Sequence, residues 1–238
     1  MSSEPSIAFP YKPPSEEIKK KYAHIFRIDE PLKDRFIKTI FDKVISLIFL
    51  ILASPIFLIL KIGYLIESLF DKDSSGPMIF FYYAVSGGNK IKKYKLRIIK
   101  EKYIDKELAK VGDWHAYKNE WMPESRTFMG KIIKAFYLDE LPQFWCIFIG
   151  DMSFVGPRPL ACHHFERDLA QGNITRKIIK GGLLGLGHIH KGTLEMGSPE
   201  YEYEYIDSFL EKSSFDLLLL DLWIVWKGLL VVIKGKGL

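Results

Sequence analysis

Two adjacent carboxylates, Asp139 and Glu140, open a run that ends in a proline-flanked arginine, Pro157-Arg158-Pro159. Between them lie a short apolar segment and a Gly150-Asp151 pair. Adjacent acids and a nearby arginine are the residue types that chemistry on a phosphate needs. A carboxylate can attack phosphorus or hold a divalent cation, and a guanidinium can hold phosphate oxygens in a bidentate grip.

Pro142 is tolerated in a first helical turn, so the sequence predicts a helix starting near Glu140 and ended by Gly150, with Asp139 at its N-cap. Capping is the plain reading of Asp139. The same position has a chemical meaning, because free N–H groups at a helix start keep a carboxylate ionised and attract phosphate. An ionised Asp139 can then attack phosphorus and form an acyl phosphate. Glu140 beside it can help hold Mg²⁺, or Mn²⁺ in its place. Two acids without a cation would repel each other and a diphosphate, so a metal on Asp139 and Glu140 is expected if this is the site. Asp151 either caps the following turn or joins that metal set. Pro157 and Pro159 fix the backbone around Arg158, giving either a rigid turn or a phosphate ligand that needs little ordering.

The elements that must position these groups begin at Gly76-Pro77. Met78–Val85 is aromatic and strand-prone, Ser86-Gly87-Gly88-Asn89 is a turn, and Lys90–Arg97 is the return strand of a hairpin. That return strand is the most basic stretch of the chain. Its cations are either a solvated face or contacts to headgroups and substrate phosphate. A short helix is expected over Phe128–Phe136 and further helices over residues 160–180 and over Phe215–Ile233, with Gly181 to Gly192 a loop. The last helix carries Asp216, Asp221 and Lys227 beside Trp223 and Trp226. It suits an interface or a packed core better than a membrane span.

At 238 residues the chain can hold one good-sized domain with appendages, and its 48% apolar content suggests membrane contact as well as a core. The net charge of +5 fits an anionic lipid surface or an anionic substrate, and no nucleic acid is expected. Cys146 and Cys162 suggest neither a disulfide framework nor a metal pair. Four segments are expected. Residues 1–34 are a loose polar tail with one short helix over Ser15–Phe26. Residues 35–70 are a membrane helix, residues 71–200 a catalytic domain, and residues 201–238 a C-terminal interfacial helix and tail. From Val44 to Leu60, 17 residues pass without a charge, with Ser54-Pro55 near the middle. Proline removes a backbone hydrogen bond and bends a helix, so the run either spans the bilayer or bends at Ser54-Pro55 and returns. Lys33, Arg35, Lys38 and Lys43 put its N-terminal side in the cytoplasm.

Leu138–Gln143 and Gly150–Pro159 together resemble the bacterial sugar transferases, also called monotopic phosphoglycosyl transferases. Their pattern runs Leu-Asp-Glu-Leu-Pro-Gln, then Gly-Asp/Glu-Met-Ser-x-Val-Gly-Pro-Arg-Pro. The likeness covers about residues 36–238. Phe41-Asp42 with the apolar run and Ser54-Pro55 looks like the family's re-entrant helix. Gly76-Pro77 and Lys95-Leu96-Arg97 look like its Gly-Pro and Lys-Phe-Arg elements. Tyr205-Ile206 and Lys234-Gly235-Lys236-Gly237 look like the C-terminus of its longer members.

The resemblance implies transfer of a sugar-1-phosphate from a UDP-sugar to undecaprenyl phosphate, with release of UMP, as the first membrane step of glycan assembly. Asp139 would be the nucleophile and carry a covalent phosphosugar, with Glu140 its partner near Mg²⁺. Lys95, Arg97, Lys134 and Arg158, held by Pro157 and Pro159, would bind the diphosphate or lipid phosphate. The implied fold is a helix-dominated α+β monotopic membrane protein. It has a re-entrant N-terminal helix broken at Ser54-Pro55, a small β-hairpin and interfacial amphipathic helices. The implied place is the cytoplasmic face of the bacterial inner membrane, among membrane lipids, with downstream glycosyltransferases or further copies of the chain as partners.

The pattern departs from the family at Tyr82-Tyr83-Ala84, where a glutamine and an arginine are absent, at Lys38-Thr39, at Lys134 in place of an arginine, and over Gly181–Leu186. These changes touch phosphate and sugar recognition more than the dyad. They motivate a rival reading, a catalytically silent membrane scaffold that partners another glycosyltransferase.

Overall fold

The computed structural model describes residues 12–190 and 197–233. In chain order it contains helix α1 (Glu16–Lys21), helix α2 (Phe36–Phe70), strands β1 (Ile79–Ser86) and β2 (Asn89–Leu96), and helices α3 (Lys106–Lys110), α4 (Phe128–Ala135) and α5 (Gln143–Ile149). Strands β3 (Ser153–Val155) and β4 (Leu160–Ala161) precede α6 (Cys162–Ala170) and α7 (Thr175–Ile178). Strand β5 (Gly182–Leu184), α8 (Leu186–Ile189), α9 (Glu200–Glu211) and α10 (Ser214–Ile233) complete it. This is a helix-dominated α+β chain with little sheet. The segment Lys234–Gly237 and the end of the glycine-rich run, from residue 191, lie outside the described residues.

The chain folds as two compact units, each drawn from separate stretches. One takes Val44–Tyr83 and Lys92–Phe148. The other takes residues 12–43, Ala84–Ile91 and the described residues from 149 onward. The segment expected as catalytic, residues 71–200, contributes to both units. The unit boundary at Phe148 and Ile149 divides the acidic dyad from the Pro-Arg-Pro turn.

The hairpin forms as expected. Gly87 and Gly88 have φ of 55° and 74°, the left-handed pair that a two-residue hairpin turn demands. β1 also pairs antiparallel with β4, Ala84 opposite Ala161 and Val85 opposite Leu160. Along β2 the side chains alternate, so that Lys90 and Lys92 face out while Ile91, Lys93 and Lys95 are buried. With Arg97, three of the five cations of Lys90–Arg97 are thus interior, because the period of a strand sorts neighbours to opposite faces.

α2 is one helix of 35 residues with Pro55 inside it. Proline cannot donate to the carbonyl four residues earlier, which is that of Ile51. The Ser54 hydroxyl donates to that carbonyl instead, at 2.7 Å. Most of the apolar window of α2 is exposed, including Ile51, Leu52, Leu58 and Ile59, and the helix is long and apolar enough to cross a membrane by length and composition. Toward its C-terminal end, Gly63 leaves room for Met129 of α4, whose sulfur would stand 2.7 Å from an added Cβ. Glu67 accepts hydrogen bonds from the Phe128 and Met129 amides at 2.7 and 2.9 Å, and so caps α4.

The other unit gathers around β3 and β5, which pair in parallel, with Ser153 opposite Gly182 and Val155 opposite Leu184. The segment expected as a loop from Gly181 is therefore partly strand and partly the short helix α8. Its glycines serve close approach: a Cβ on Gly182 would meet the Gly156 amide nitrogen at 2.1 Å. α10 buries Leu217, Asp221 and Ile224 on one face and exposes Phe215, Leu219, Trp223 and Trp226 on the other. Asp221 pairs with Lys38 at 2.5 Å and accepts from the Tyr205 hydroxyl at 2.7 Å, all buried. Burial pushes the Asp221 carboxyl above its ordinary range, against the opposing pull of Lys38.

Residues 15–34 are less loose than expected. Ser15 caps α1, and beyond it Tyr22 and Ile25 are buried, with Tyr22 and Phe26 both stacked on Tyr203. Two rings and one isoleucine supply the apolar area that the charged composition hides. The helix expected over 160–180 is instead α6 and α7, interrupted at Gly172 with φ of 87°.

Candidate active site

The dyad sits in a 3₁₀ turn, Leu138–Glu140, not at the start of α5. Asp139 is consequently not a helix N-cap, as α5 begins only at Gln143. What aims the turn is Tyr137, the one non-glycine residue with positive φ among the described residues, at φ 56° and ψ 25°. A left-handed non-glycine residue costs roughly 1–2 kcal/mol, which the surrounding packing must hold in place.

Asp139 is buried, at 2% exposure. Its Oδ2 lies 3.1 Å from Lys95 Nζ and 3.7 Å from Lys134 Nζ. Lys95 comes from β2 and Lys134 from the last turn of α4. Lys95 Nζ also donates to Glu120 Oε2 at 3.1 Å. Burial works to lower the Lys95 pKa, but the carboxylates of Glu120 and Asp139 outweigh it and hold the ammonium above its ordinary range. The carboxylate of Asp139 is thus held by cations rather than by helix-end amides. Burial, with the Asp139 charge adding to it, raises the pKa of the Tyr137 phenol beside the dyad.

Several polar atoms near the dyad in sequence or space are buried without a hydrogen-bond partner among the described residues. They are Glu120 Oε1, the Tyr137 hydroxyl, and both side-chain polar atoms of Gln143. Such groups are costly unless something meets them.

Arg97 corrects an expectation. Its guanidinium donates to the carbonyls of Pro77, Ile99 and Ser74 at 2.9, 2.7 and 2.8 Å, and the residue is 0% exposed. The hydroxyl of Tyr64 donates to its carbonyl. Arg97 ties the end of the hairpin to the segment after α2 and is spent there, so it does not serve as a phosphate ligand.

Arg158 belongs to the other unit, as does Asp151. The Pro157 carbonyl accepts from Gly182 at 2.9 Å and the Arg158 carbonyl from Arg176 Nε at 2.9 Å. Arg176 in turn makes a two-pronged ion pair with Glu202. Pro157 and Pro159 are buried, and the ring of Pro159 lies over Gly181, where an added Cβ would stand 2.4 Å from Pro159 Cγ. The backbone of this arginine is therefore fixed. Burial raises the Asp151 carboxyl above its ordinary range, partly offset by Lys180.

The sequence model of the bacterial sugar transferase family matches residues 33–235. The chain belongs to that family. Among curated sugar transferases it is 32% identical over 219 residues to a UDP-glucose:undecaprenyl-phosphate glucose-1-phosphate transferase of Klebsiella pneumoniae, covering 87% of this chain and 42% of the relative. It is 28% identical over 176 residues to a UDP-N-acetylgalactosamine-undecaprenyl-phosphate N-acetylgalactosaminephosphotransferase of Aeromonas hydrophila, covering 69% of this chain and 37% of that relative. It is 32% identical over 165 residues to a UDP-glucose:undecaprenyl-phosphate glucose-1-phosphate transferase of Escherichia coli K12, covering 67% of this chain and 32% of that relative. The chain thus spans 32% to 42% of the length of these relatives.

Within this family member, then, the fold brings Lys95 and Lys134 to Asp139 and leaves Arg97 to a structural task. Glu120 was missed from sequence. It lies 19 positions before Asp139 in a polar stretch with no motif, and only the fold of Trp114–Trp121 brings it to Lys95.

Proposed function

We propose that this sugar transferase moves a sugar-1-phosphate from a UDP-sugar to undecaprenyl phosphate and releases UMP. The observation that carries the reading is the buried Asp139 carboxylate between two ammonium groups. In the first step an Asp139 oxygen attacks the β-phosphorus, and the bond from that phosphorus to the bridging oxygen breaks, releasing UMP. In the second an oxygen of the lipid phosphate attacks the same phosphorus, and the aspartyl–phosphate bond breaks to restore the carboxylate. Lys95 and Lys134 balance the charge that collects around the transferred phosphoryl group. The fixed backbone of Arg158 supports a role in holding phosphate oxygens.

Mg²⁺, or Mn²⁺ in its place, fits the donors available, since hard cations take carboxylate oxygens and Glu120 Oε1 is buried and unmet. Asp139 and Glu140 would hold the ion, which would supply charge neutralisation for the diphosphate.

The exposed apolar face of α2 and the Ser54 hydroxyl on the Ile51 carbonyl support a membrane helix that tolerates proline at mid-length. We read it as re-entrant about Ser54-Pro55, holding the protein monotopically at the cytoplasmic face, where nucleotide sugars are. The exposed Trp223 and Trp226 of α10 suit a membrane interface.

The test is a UMP-release screen across UDP-sugars with undecaprenyl phosphate, Mg²⁺ and detergent-solubilised protein. One UDP-sugar should give UMP and a labelled Asp139. Release undiminished by Asp139→Asn would overturn the nucleophile assignment, and no release with any nucleotide sugar would favour the scaffold reading.

A further inference from the structure

A second polar cluster lies at the C-terminal end of α2, lined by Gly63, Ile66, Glu67, Phe70 and, across from them, Arg126, Phe128 and Lys131, with a volume of about 520 Å³. Its charges are not equally engaged. The Glu67 carboxylate accepts from two amides and from the Ser74 hydroxyl. Asp71 at its edge is paired with Lys100 at 2.7 Å, and that hydrogen bond holds its carboxyl below the usual range. The acids are therefore committed. The cations across from them are not. Arg126 Nε is buried without a partner, and its one side-chain hydrogen bond is a long 3.4 Å contact to the Glu120 carbonyl. Lys131 is exposed and has no hydrogen bond or ion pair among the described residues.

The apolar part of the lining points the same way. Phe70 is 87% exposed and Phe128 is 66% exposed, with Ile66 also exposed along the same end of α2. Uncommitted cations beside exposed rings, where a long apolar helix ends, match a molecule with an anionic head and a hydrocarbon tail. An inorganic ion would use the cations and leave the rings in water. A neutral lipid would use the rings and leave Arg126 Nε unmet.

We propose that this groove binds the headgroup phosphate of an anionic membrane phospholipid, with Arg126 and Lys131 on the phosphate and the acyl chain along Ile66 and Phe70. The site is separate from the Asp139 cluster and does not depend on the reaction assigned to it.

The test is native mass spectrometry of the full detergent-solubilised chain titrated with phosphatidylglycerol, and in parallel with phosphatidylcholine. The expected result is one phosphatidylglycerol retained at concentrations where phosphatidylcholine is not. Retention should weaken about tenfold or more in Arg126→Gln/Lys131→Gln, the scale of one or two charge-assisted hydrogen bonds. Lys118→Gln, an exposed cation outside the groove, should leave retention unchanged. Should the double variant fail to fold, Lys131→Glu alone reverses charge at an exposed position and should give the same direction. Equal retention of the two lipids would overturn the proposal, as would retention unchanged in Lys131→Glu. Displacement of the lipid by millimolar inorganic phosphate alone would also overturn it, leaving a site for free phosphate.

Discussion

Lys95 Nζ stands 3.1 Å from Asp139 Oδ2 with both side chains buried. The same ammonium is 3.1 Å from Glu120, so one buried cation serves two buried carboxylates. Replacing it with an apolar residue of similar length leaves Glu120 unbalanced and Asp139 with only Lys134, 3.7 Å away. Lys95→Met should cost about 3–5 kcal/mol in chemical denaturation, the scale of breaking a buried ion pair on one side.

The pH dependence of that contribution has a definite sign. The folded ammonium holds its proton more tightly than the unfolded one. Its stabilisation is therefore complete below the unfolded value of about 10.4 and is lost as pH rises through the folded value. Burial raises Tyr117 to about 12 and pushes Tyr203 and Tyr205 up as well, so wild type should weaken on the alkaline side for several reasons. Those tyrosines are common to wild type and Lys95→Met. The difference between their denaturation midpoints, followed from pH 9 upward, should therefore shrink above about pH 10.4. A gap that stays constant there would argue against the pairing.

Asp139→Asn keeps shape and hydrogen-bonding capacity while removing the nucleophile. UMP release should fall on the order of 10³-fold or more, far beyond what the accompanying stability loss of about 1–3 kcal/mol explains. Glu120→Gln leaves the Lys95 to Asp139 contact in place, so it should cost less stability than Lys95→Met, about 1–3 kcal/mol.

Tyr137 should discriminate among substitutions by backbone alone. Asparagine tolerates the left-handed region and β-branched side chains do not. Tyr137→Val should be about 1–2 kcal/mol less stable than Tyr137→Asn and less active, because the dyad turn then shifts to relieve the strain. Equal stability of the two would show that the turn relaxes without cost.

Gly130→Ala places a Cβ 1.9 Å from the Ile98 carbonyl oxygen, a contact that only movement of α4 can relieve. Stability should fall by about 1–3 kcal/mol or more. Since α4 carries Lys134, turnover should fall with it.

How much of this was legible depended on range. The dyad and the Pro-Arg-Pro turn are contiguous motifs, and the hairpin announces itself through Gly87-Gly88, so local sequence was enough. Composition showed Lys95 as one of seven cations between Lys90 and Lys102, and only the likeness of Lys95-Leu96-Arg97 to a family element singled it out, because the strand period that buries it and exposes Lys92 acts after the hairpin pairs. Glu120 and the true job of Arg97 were illegible, since Lys95 for the one and the Ser74 and Pro77 carbonyls for the other are brought near only by the fold. The reading of Asp139 as a helix cap failed because a proline-compatible first turn does not require the helix to begin at the acid. The tail was misread because its composition averages over two aromatic rings that happen to meet Tyr203.

The pairing of Lys38 with Asp221 joins residues 183 positions apart. A ribosome adds roughly 5–20 residues per second, so Lys38 emerges about ten seconds or more before its partner exists. During that interval its charge stands unbalanced at the head of the apolar run that follows. A chain that folds as it is made must therefore carry Lys38 without this partner until Asp221 is added, so the contact that neutralises it at the start of α2 forms late.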